Sequence, residues 1–170
     1  MKKIIVNTVV LFALLLPVGT AVFGETSGWM NVPLKDINTG KTFTISDFAG
    51  KPVLLETFAV WCPTCTKQQK EFKKLHEEMG DDIVSISLNV DSNEDESRIR
   101  EHIARNGFDW YYAVSPPELT RLLIQQFGTA IVTAPAAPVI LICEDHSARL
   151  LRRGLKSSGR LKEELARGCN

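Results

Sequence analysis

The chain has 170 residues, of which 44% are hydrophobic and 24% are charged, and its 20 basic and 20 acidic side chains give a formal net charge of zero. This composition is typical of one ordinary globular domain and excludes a disordered chain. Because the basic and acidic residues balance, the composition also gives no indication of a nucleic-acid partner.

Residues 1–24 have the pattern of an export segment. Lys2 and Lys3 precede an apolar run over 4–16, and small residues follow as far as Gly24. This pattern predicts a cleaved signal peptide or a retained N-terminal membrane anchor. In either case the rest of the protein is expected outside the cytoplasm, as a periplasmic, secreted or outward-facing anchored domain, where disulfides persist.

The remainder divides into a short linker over 25–33 and one domain over 34–170. Two alternating runs around Asn38-Thr39-Gly40 predict a β-hairpin at the start of this domain. The nearly continuous apolar run over 52–60 then predicts a central strand that is covered on both faces.

Strand and helix patterns alternate along the rest of the domain. The helices are predicted over 66–79, 97–106, 117–127 and 157–167, and the strands over 82–90, 108–114, 139–143 and 148–152. This order predicts an α/β domain that ends in a hairpin and a helix. The acidic loop over 91–96 is interpreted as a solvated segment that caps the helix after it.

Cys62-Pro63-Thr64-Cys65 joins the central strand to the first long helix. Cys62 is expected to cap the helix, where unpaired N–H groups and the helix dipole favour its thiolate, and Cys65 lies one turn inside. Such a pair can form a reversible disulfide. The alternative, half of a zinc site, needs a second ligand pair, and the three histidines show no such spacing: His76, His102 and His146.

The chain resembles the thioredoxin superfamily, in particular the exported TlpA/ResA/DsbE-like thiol-disulfide oxidoreductases. The resemblance covers about 34–168 and is carried by the segments 45–55, 58–65 and 137–142. It implies a thioredoxin fold, with a central mixed β-sheet flanked by helices and an N-terminal hairpin. It also implies that Cys62 is the exposed nucleophile, that Cys65 resolves the mixed disulfide, and that the protein is a reductase.

Glu56 stands six residues before Cys62, inside the apolar strand. An ionised carboxylate there is costly, so it needs a partner or a raised pKa. Thioredoxins carry a buried aspartate at the matching position. Glu56 is therefore interpreted as the general base for Cys65, with a strand-end glutamate paired to a lysine as the alternative.

Five residues are predicted to contact the substrate. Pro138 precedes a buried strand where the family holds a cis-proline, and Ala137 is then the neighbour that faces the substrate. Pro135 is a competitor for that role. Trp61 is expected to pack over the motif, whereas Pro63 and Thr64 shape the helix terminus and so the balance of the two redox states. The Pro-Thr dipeptide resembles that of DsbE-type proteins of cytochrome c maturation.

Two further cysteines match no metal-ligand spacing. Cys143 is expected to be a buried free thiol on a core strand. For Cys169 three alternatives stay open: a free thiol, a disulfide with Cys143, or a cross-link to another chain.

The resulting hypothesis is an extracytoplasmic thiol-disulfide oxidoreductase with a cysteine-containing client protein and a membrane or soluble thiol electron donor. Two thiols carry two electrons, so no cofactor or metal is needed. The rivals are a disulfide-forming oxidase, a peroxiredoxin-like peroxide reductase and a metal-binding chaperone module. The peroxide reductase is disfavoured because Ala59 stands where that chemistry uses threonine, three residues before Cys62.

Overall fold

The computed structural model of the protein describes residues 28–169. The predicted export segment over 1–24 and the first part of the linker lie outside these residues. Among the helices that are described, none has the length and apolar character needed to cross a membrane.

The predicted N-terminal hairpin is confirmed. Strand β1 (Leu34–Lys35) pairs antiparallel with β2 (Thr42–Phe43), so that Leu34 lies opposite Phe43. The turn between them uses Gly40 at a φ of 74°, a conformation that glycine adopts without steric cost.

A five-stranded mixed sheet forms the centre of the domain. Its strands are β3 (Val53–Phe58), β4 (Val84–Asn89), β5 (Tyr111–Val114), β6 (Val139–Ile142) and β7 (Ala148–Leu150), in the order β5-β4-β3-β6-β7. Strands β3, β4 and β5 run parallel, whereas β6 and β7 run antiparallel to their neighbours. All six residues of β3 are buried, which explains its nearly continuous apolar sequence.

Between residues 28 and 169, four α-helices cover the two faces of the sheet: α1 (Pro63–Met79), α2 (Glu96–Asn106), α3 (Pro117–Phe127) and α4 (Ser158–Arg167). Buried residues of α1, α2 and α4 share one apolar cluster with Leu54 and Phe58 of β3. Helix α3 packs on the opposite face, where Leu119 and Leu123 join Val53 and Leu55. The alternation of side chains along β3 therefore divides the core into two layers.

The assignment of 25–33 to a linker is wrong for its described part. Residues Gly28–Asn31 form a 3-10 turn, in which Trp29 and Met30 are buried. The Trp29 ring meets Phe127 of α3 edge-on, with the ring centroids 5.7 Å apart. A single turn is too short to display an amphipathic period, so the sequence pattern did not reveal this contribution to the core.

The prediction of a free Cys143 is also wrong. Cys143, just after β6, forms a disulfide with Cys169, just after α4, and their Cα atoms are 6.0 Å apart. Within residues 28–169 every cysteine is paired. The β6–β7 hairpin and α4 fold back on each other and bring together two residues that are 26 positions apart.

Candidate active site

Cys62 occupies the N-cap of α1, as the sequence predicts. Its Sγ accepts a hydrogen bond from the Cys65 backbone N–H over 3.2 Å, and Pro63 takes the first helical position. Cys62 and Cys65 are joined by a disulfide. Because the helix N-terminus presents unpaired N–H groups, reduction of this disulfide would leave a stabilised thiolate on Cys62.

Both sulfurs of this disulfide are buried. Cys62 and Cys65 are each 1% exposed, so the expectation of an exposed Cys62 is wrong for this oxidised structure. The cause is the connection between α3 and β6, whose 3-10 turn Ala134–Ala136 packs against the same apolar cluster as the two cysteines. The Ala134 carbonyl oxygen lies 3.1 Å from the Cys65 Sγ.

Trp61 directly precedes Cys62, the N-cap of α1. Its side chain is exposed, and the indole Nε1 donates a hydrogen bond to Asp91 Oδ2 over 2.6 Å. It borders an open cleft of about 400 Å³, which is also lined by Ala59, Val90–Ser92 and Val132–Pro135. Pro63 is exposed and Thr64 is half-buried, so the start of the helix is partly accessible to solvent.

Glu94 supports the backbone that leads to Cys62, which the sequence did not predict. Its carboxylate accepts hydrogen bonds from the N–H groups of Val60 (2.7 Å) and Trp61 (3.3 Å), and from the Asn89 amide (2.6 Å). The interpretation of 91–96 as a solvated segment is therefore wrong at Glu94, which is buried. The segment around Glu94 is polar throughout and has no hydrophobic period, so the sequence did not indicate that Glu94 is buried.

Glu56 is buried near the centre of β3, with 1% of its surface exposed. Ser87 on the neighbouring strand donates a hydrogen bond to its carboxylate over 2.6 Å. Burial raises the pKa of Glu56 to about 7, although the Ser87 bond, the nearby Gln69 amide and the positive charge of Lys156 oppose the rise. Glu56 therefore changes its protonation state close to neutral pH.

Glu56 and Cys65 lie on surfaces that face each other. Glu56 points to the same side of the sheet as Leu54 and Phe58, and this is the side that α1 covers. Cys65 and Gln69 are one turn apart on the buried face of α1. No direct hydrogen bond between Glu56 and Cys65 is found in the described part of the chain, so proton exchange between them needs an intermediary.

The peptide bond before Pro138 is trans, and the expectation of a cis-proline is wrong, since no cis bond occurs between residues 28 and 169. Ala137 adopts a left-handed conformation with φ 44°. It is 1% exposed, its N–H donates to the Ala134 carbonyl over 2.8 Å, and its own carbonyl accepts from Lys156 Nζ. Ala137 therefore uses both backbone groups internally and offers neither to a substrate in this state.

Among the residues that the structure describes, no group of three or more histidine, cysteine, aspartate or glutamate side chains is arranged to hold a metal ion.

A mixed α/β sheet with a C-x-x-C disulfide at the start of the helix that follows its central strand defines a thioredoxin-like thiol-disulfide oxidoreductase. The sequence agrees with this class, because the family model described as Redoxin matches residues 21–152. The chain belongs to the redoxin family.

Solved structures show the same fold. A thiol:disulfide interchange protein from Chlorobium tepidum TLS superposes with a TM-score of 0.70 at 16% identity, over 82% of this chain and 93% of that one. A secreted Mycobacterium tuberculosis disulfide oxidoreductase homologous to E. coli DsbE gives 0.66 at 10% identity, over 82% and 98%. These similarities confirm the predicted thioredoxin fold.

Similarity to curated sequences is confined to part of the chain. The thioredoxin-like protein YneN of Bacillus subtilis is 32% identical over 56 residues, which are 33% of each chain. The chain spans about half or less of the length of the curated relatives that it matches.

Proposed function

We propose that the protein is an extracytoplasmic disulfide reductase that acts on cysteine-containing client proteins. The observation that carries this proposal is the Cys62–Cys65 disulfide at the N-terminus of α1, with a buried carboxyl group of pKa about 7 on the strand beneath that helix. The helix terminus favours a thiolate, and Glu56 can exchange a proton at neutral pH.

The exported location has two supports besides the leader pattern of residues 1–24. The Cys143–Cys169 disulfide is a cross-link of the kind that persists in oxidising compartments and is rare in the cytosol. In addition, one protein of the same fold is described as secreted. Membrane anchoring through the N-terminal segment stays part of the proposal.

The proposed reaction begins with the reduced protein. The Cys62 thiolate attacks a client disulfide, forms a mixed disulfide and expels one client sulfur as a thiolate. Cys65 then loses its proton towards Glu56 and attacks the Cys62 sulfur, which releases the second client sulfur. Two electrons pass to the client, and the Cys62–Cys65 disulfide remains until a membrane or soluble thiol donor reduces it.

The surroundings of the two sulfurs support different roles for them. The helix N-terminus stabilises the Cys62 thiolate, whereas the Ala134 carbonyl, 3.1 Å from Cys65 Sγ, can accept a hydrogen bond from a Cys65 thiol. A hydrogen bond to the neutral form disfavours ionisation. Cys65 therefore needs a base at the resolving step, and the facing carboxylate of Glu56 meets that need.

The substrate surface in this proposal is the cleft beside Trp61, together with Pro63 and Thr64 at the helix start. Because both sulfurs are buried and Ala137 is tied internally, a client gains access when the connection before Pro138 moves. The Pro63-Thr64 dipeptide supports cytochrome c maturation as one setting for such a reductase.

Substitution of each active-site cysteine tests the order of attack. We expect Cys62→Ser to abolish insulin reduction and Cys65→Ser to accumulate a mixed disulfide with the client, because the second variant can attack but cannot resolve. The control is the double variant Cys143→Ser/Cys169→Ser, which should keep reducing insulin. Activity retained in Cys62→Ser would contradict the assignment of the nucleophile.

The direction of electron flow is tested by the reduction potential of the Cys62–Cys65 pair. A value close to that of thioredoxin, about −270 mV, would support the reductase, and a value close to that of a strong oxidant, about −120 mV, would support the oxidase instead.

A further inference from the structure

Lys156 is a buried lysine close to the active site. It lies in the connection between β7 and α4 and is 5% exposed, although its neighbour Leu155 is 51% exposed. Lysine is almost never fully buried unless its ammonium group has partners. The groups that contact Lys156 therefore show which parts of the site its positive charge acts on.

The backbone of Lys156 is fixed to the catalytic helix. The Gln68 side chain donates to the Lys156 carbonyl over 3.0 Å and accepts from the Lys156 N–H over 2.8 Å. Gln68 is fully buried and stands three residues after Cys65 on α1. This double hydrogen bond holds the lysine at one position relative to the disulfide.

The side chain of Lys156 reaches into the site. Its Nζ donates a hydrogen bond to the carbonyl of Ala137, which is the residue before Pro138 and keeps a left-handed conformation. The same ammonium group also interacts electrostatically with the Glu56 carboxylate. One buried charge thus acts on both the proposed base and the connection that covers the cysteines.

We propose that Lys156 is a positioning residue for thiol-disulfide exchange, which holds the Ala137 carbonyl in place and keeps the Glu56 carboxylate available as a base. The inference rests on the proposed function, because it assumes that Glu56 exchanges a proton during the reaction.

Among the groups that act on the Glu56 carboxylate, Lys156 is the one with a positive charge. Ser87 and Gln69 are neutral, and Tyr112 on β5 stays neutral because burial raises its pKa well above the ordinary value. Lys156 is the positive charge that lowers the Glu56 pKa, and burial lowers its own pKa to about 8. Near pH 7 the lysine is therefore still mostly protonated while Glu56 titrates.

The test removes this charge with Lys156→Met, which keeps an unbranched side chain. We expect the Glu56 pKa, followed by carboxyl ¹³C NMR, to rise above about 7 and the pH profile of insulin reduction to move in the same direction. A rise of about one unit would lower the ionised fraction at pH 7 about fivefold. Lys162→Met is the matched control, since Lys162 is exposed on α4, and it should move neither titration.

Glu56→Gln separates this inference from the proposed function. If this variant leaves the pH profile unchanged, the proposed role of Glu56 as a base fails. If it removes the inflection but Lys156→Met shifts neither the profile nor the Glu56 titration, the role of Lys156 fails instead.

A reciprocal measurement avoids any lysine variant. Because coupling between two sites acts equally in both directions, the Lys156 pKa should fall below about 8 in Glu56→Gln, as followed by ¹⁵N NMR of its ammonium group. An unchanged Lys156 titration in that variant would overturn the inference even if Lys156→Met did not fold.

Discussion

Two buried carboxylates near the active-site disulfide differ in how visible they are in the sequence. Glu56 interrupts an apolar strand, so its cost and hence its significance could be recognised from the strand alone. Glu94 stands among other acidic residues in a loop, and only the structure shows that three N–H donors converge on it. A charged residue in a polar segment gives no signal of burial, because its partners lie elsewhere in the chain.

We predict that Glu94→Ala destabilises the protein by about 1 to 3 kcal/mol, because the buried Asn89 amide and the part-buried N–H groups of Val60 and Trp61 lose their acceptor. Insulin reduction should also slow, since these residues position Cys62. The measurement is urea unfolding of the oxidised variant together with the rate of reduction.

Glu96→Ala is the matched control for this prediction. Glu96 lies two residues away, and its carboxylate forms exposed ion pairs with Lys35 and Arg100. Exposed ion pairs contribute little to stability, so this variant should have the same urea unfolding midpoint and the same rate of insulin reduction as the wild type. Equal effects of the two substitutions would contradict the supporting role of Glu94.

At the scale of elements, the second disulfide joins the end of β6 to the end of α4. Val53, the first residue of β3, lies opposite Ile142, the last residue of β6. Cys143 therefore lies beside the start of β3, whereas Cys62 follows the end of that strand. The two disulfides therefore occupy opposite ends of the sheet. Arg149 reinforces the second end by donating to the Gly168 carbonyl over 2.8 Å.

We predict that Cys143→Ser/Cys169→Ser lowers the free energy of unfolding by about 3 to 4 kcal/mol, because the disulfide closes a loop of 26 residues in the unfolded chain. Urea unfolding under oxidising conditions measures this loss. The reduction potential of the Cys62–Cys65 pair should stay the same. A changed potential would show that the two ends of the sheet are coupled.

At the scale of the whole molecule, the buried Glu56 makes the free energy of unfolding depend on pH. Burial raises its pKa from 4.5 to about 7, so between these values the unfolded chain has lost the proton that the folded protein keeps. The stabilising contribution of the protonated carboxyl group is complete below pH 4.5 and is lost as the pH rises through 7. His76 and His102 oppose this trend, because burial lowers their pKa values.

We therefore predict a stability difference between wild type and Glu56→Gln that depends on pH. The two oxidised proteins should unfold at similar urea concentrations at pH 5, and the variant should be more stable by about 1 to 3 kcal/mol at pH 8. Comparing the two proteins removes the histidine contributions. Glu118→Gln, on the exposed side of α3, is the control and should show no such difference from the wild type. If the stability of Glu56→Gln differed from that of the wild type by the same amount at pH 5 and pH 8, the raised pKa of Glu56 would be contradicted.

The amino-acid sequence by itself determined the order and type of the elements. Hydrophobic periods, glycines such as Gly80 and Gly107 at helix ends, and the C-x-x-C spacing are local features, and each acts within one or two turns of chain. These local features predicted the α/β class, the N-terminal hairpin and the place of Cys62 at a helix start. The mixed sheet was predicted from the resemblance to the thioredoxin superfamily.

Only the tertiary structure decided which distant groups meet. Contacts between segments far apart in the chain form the Cys143–Cys169 disulfide and the hydrogen bond from Lys156 to Ala137. Contacts of the same kind bury Trp29 and Cys62. Such contacts depend on how the layers pack, and no local period encodes them. For this reason the sequence identified the two active-site thiols, whereas the charges and backbone groups around them became visible only in the fold.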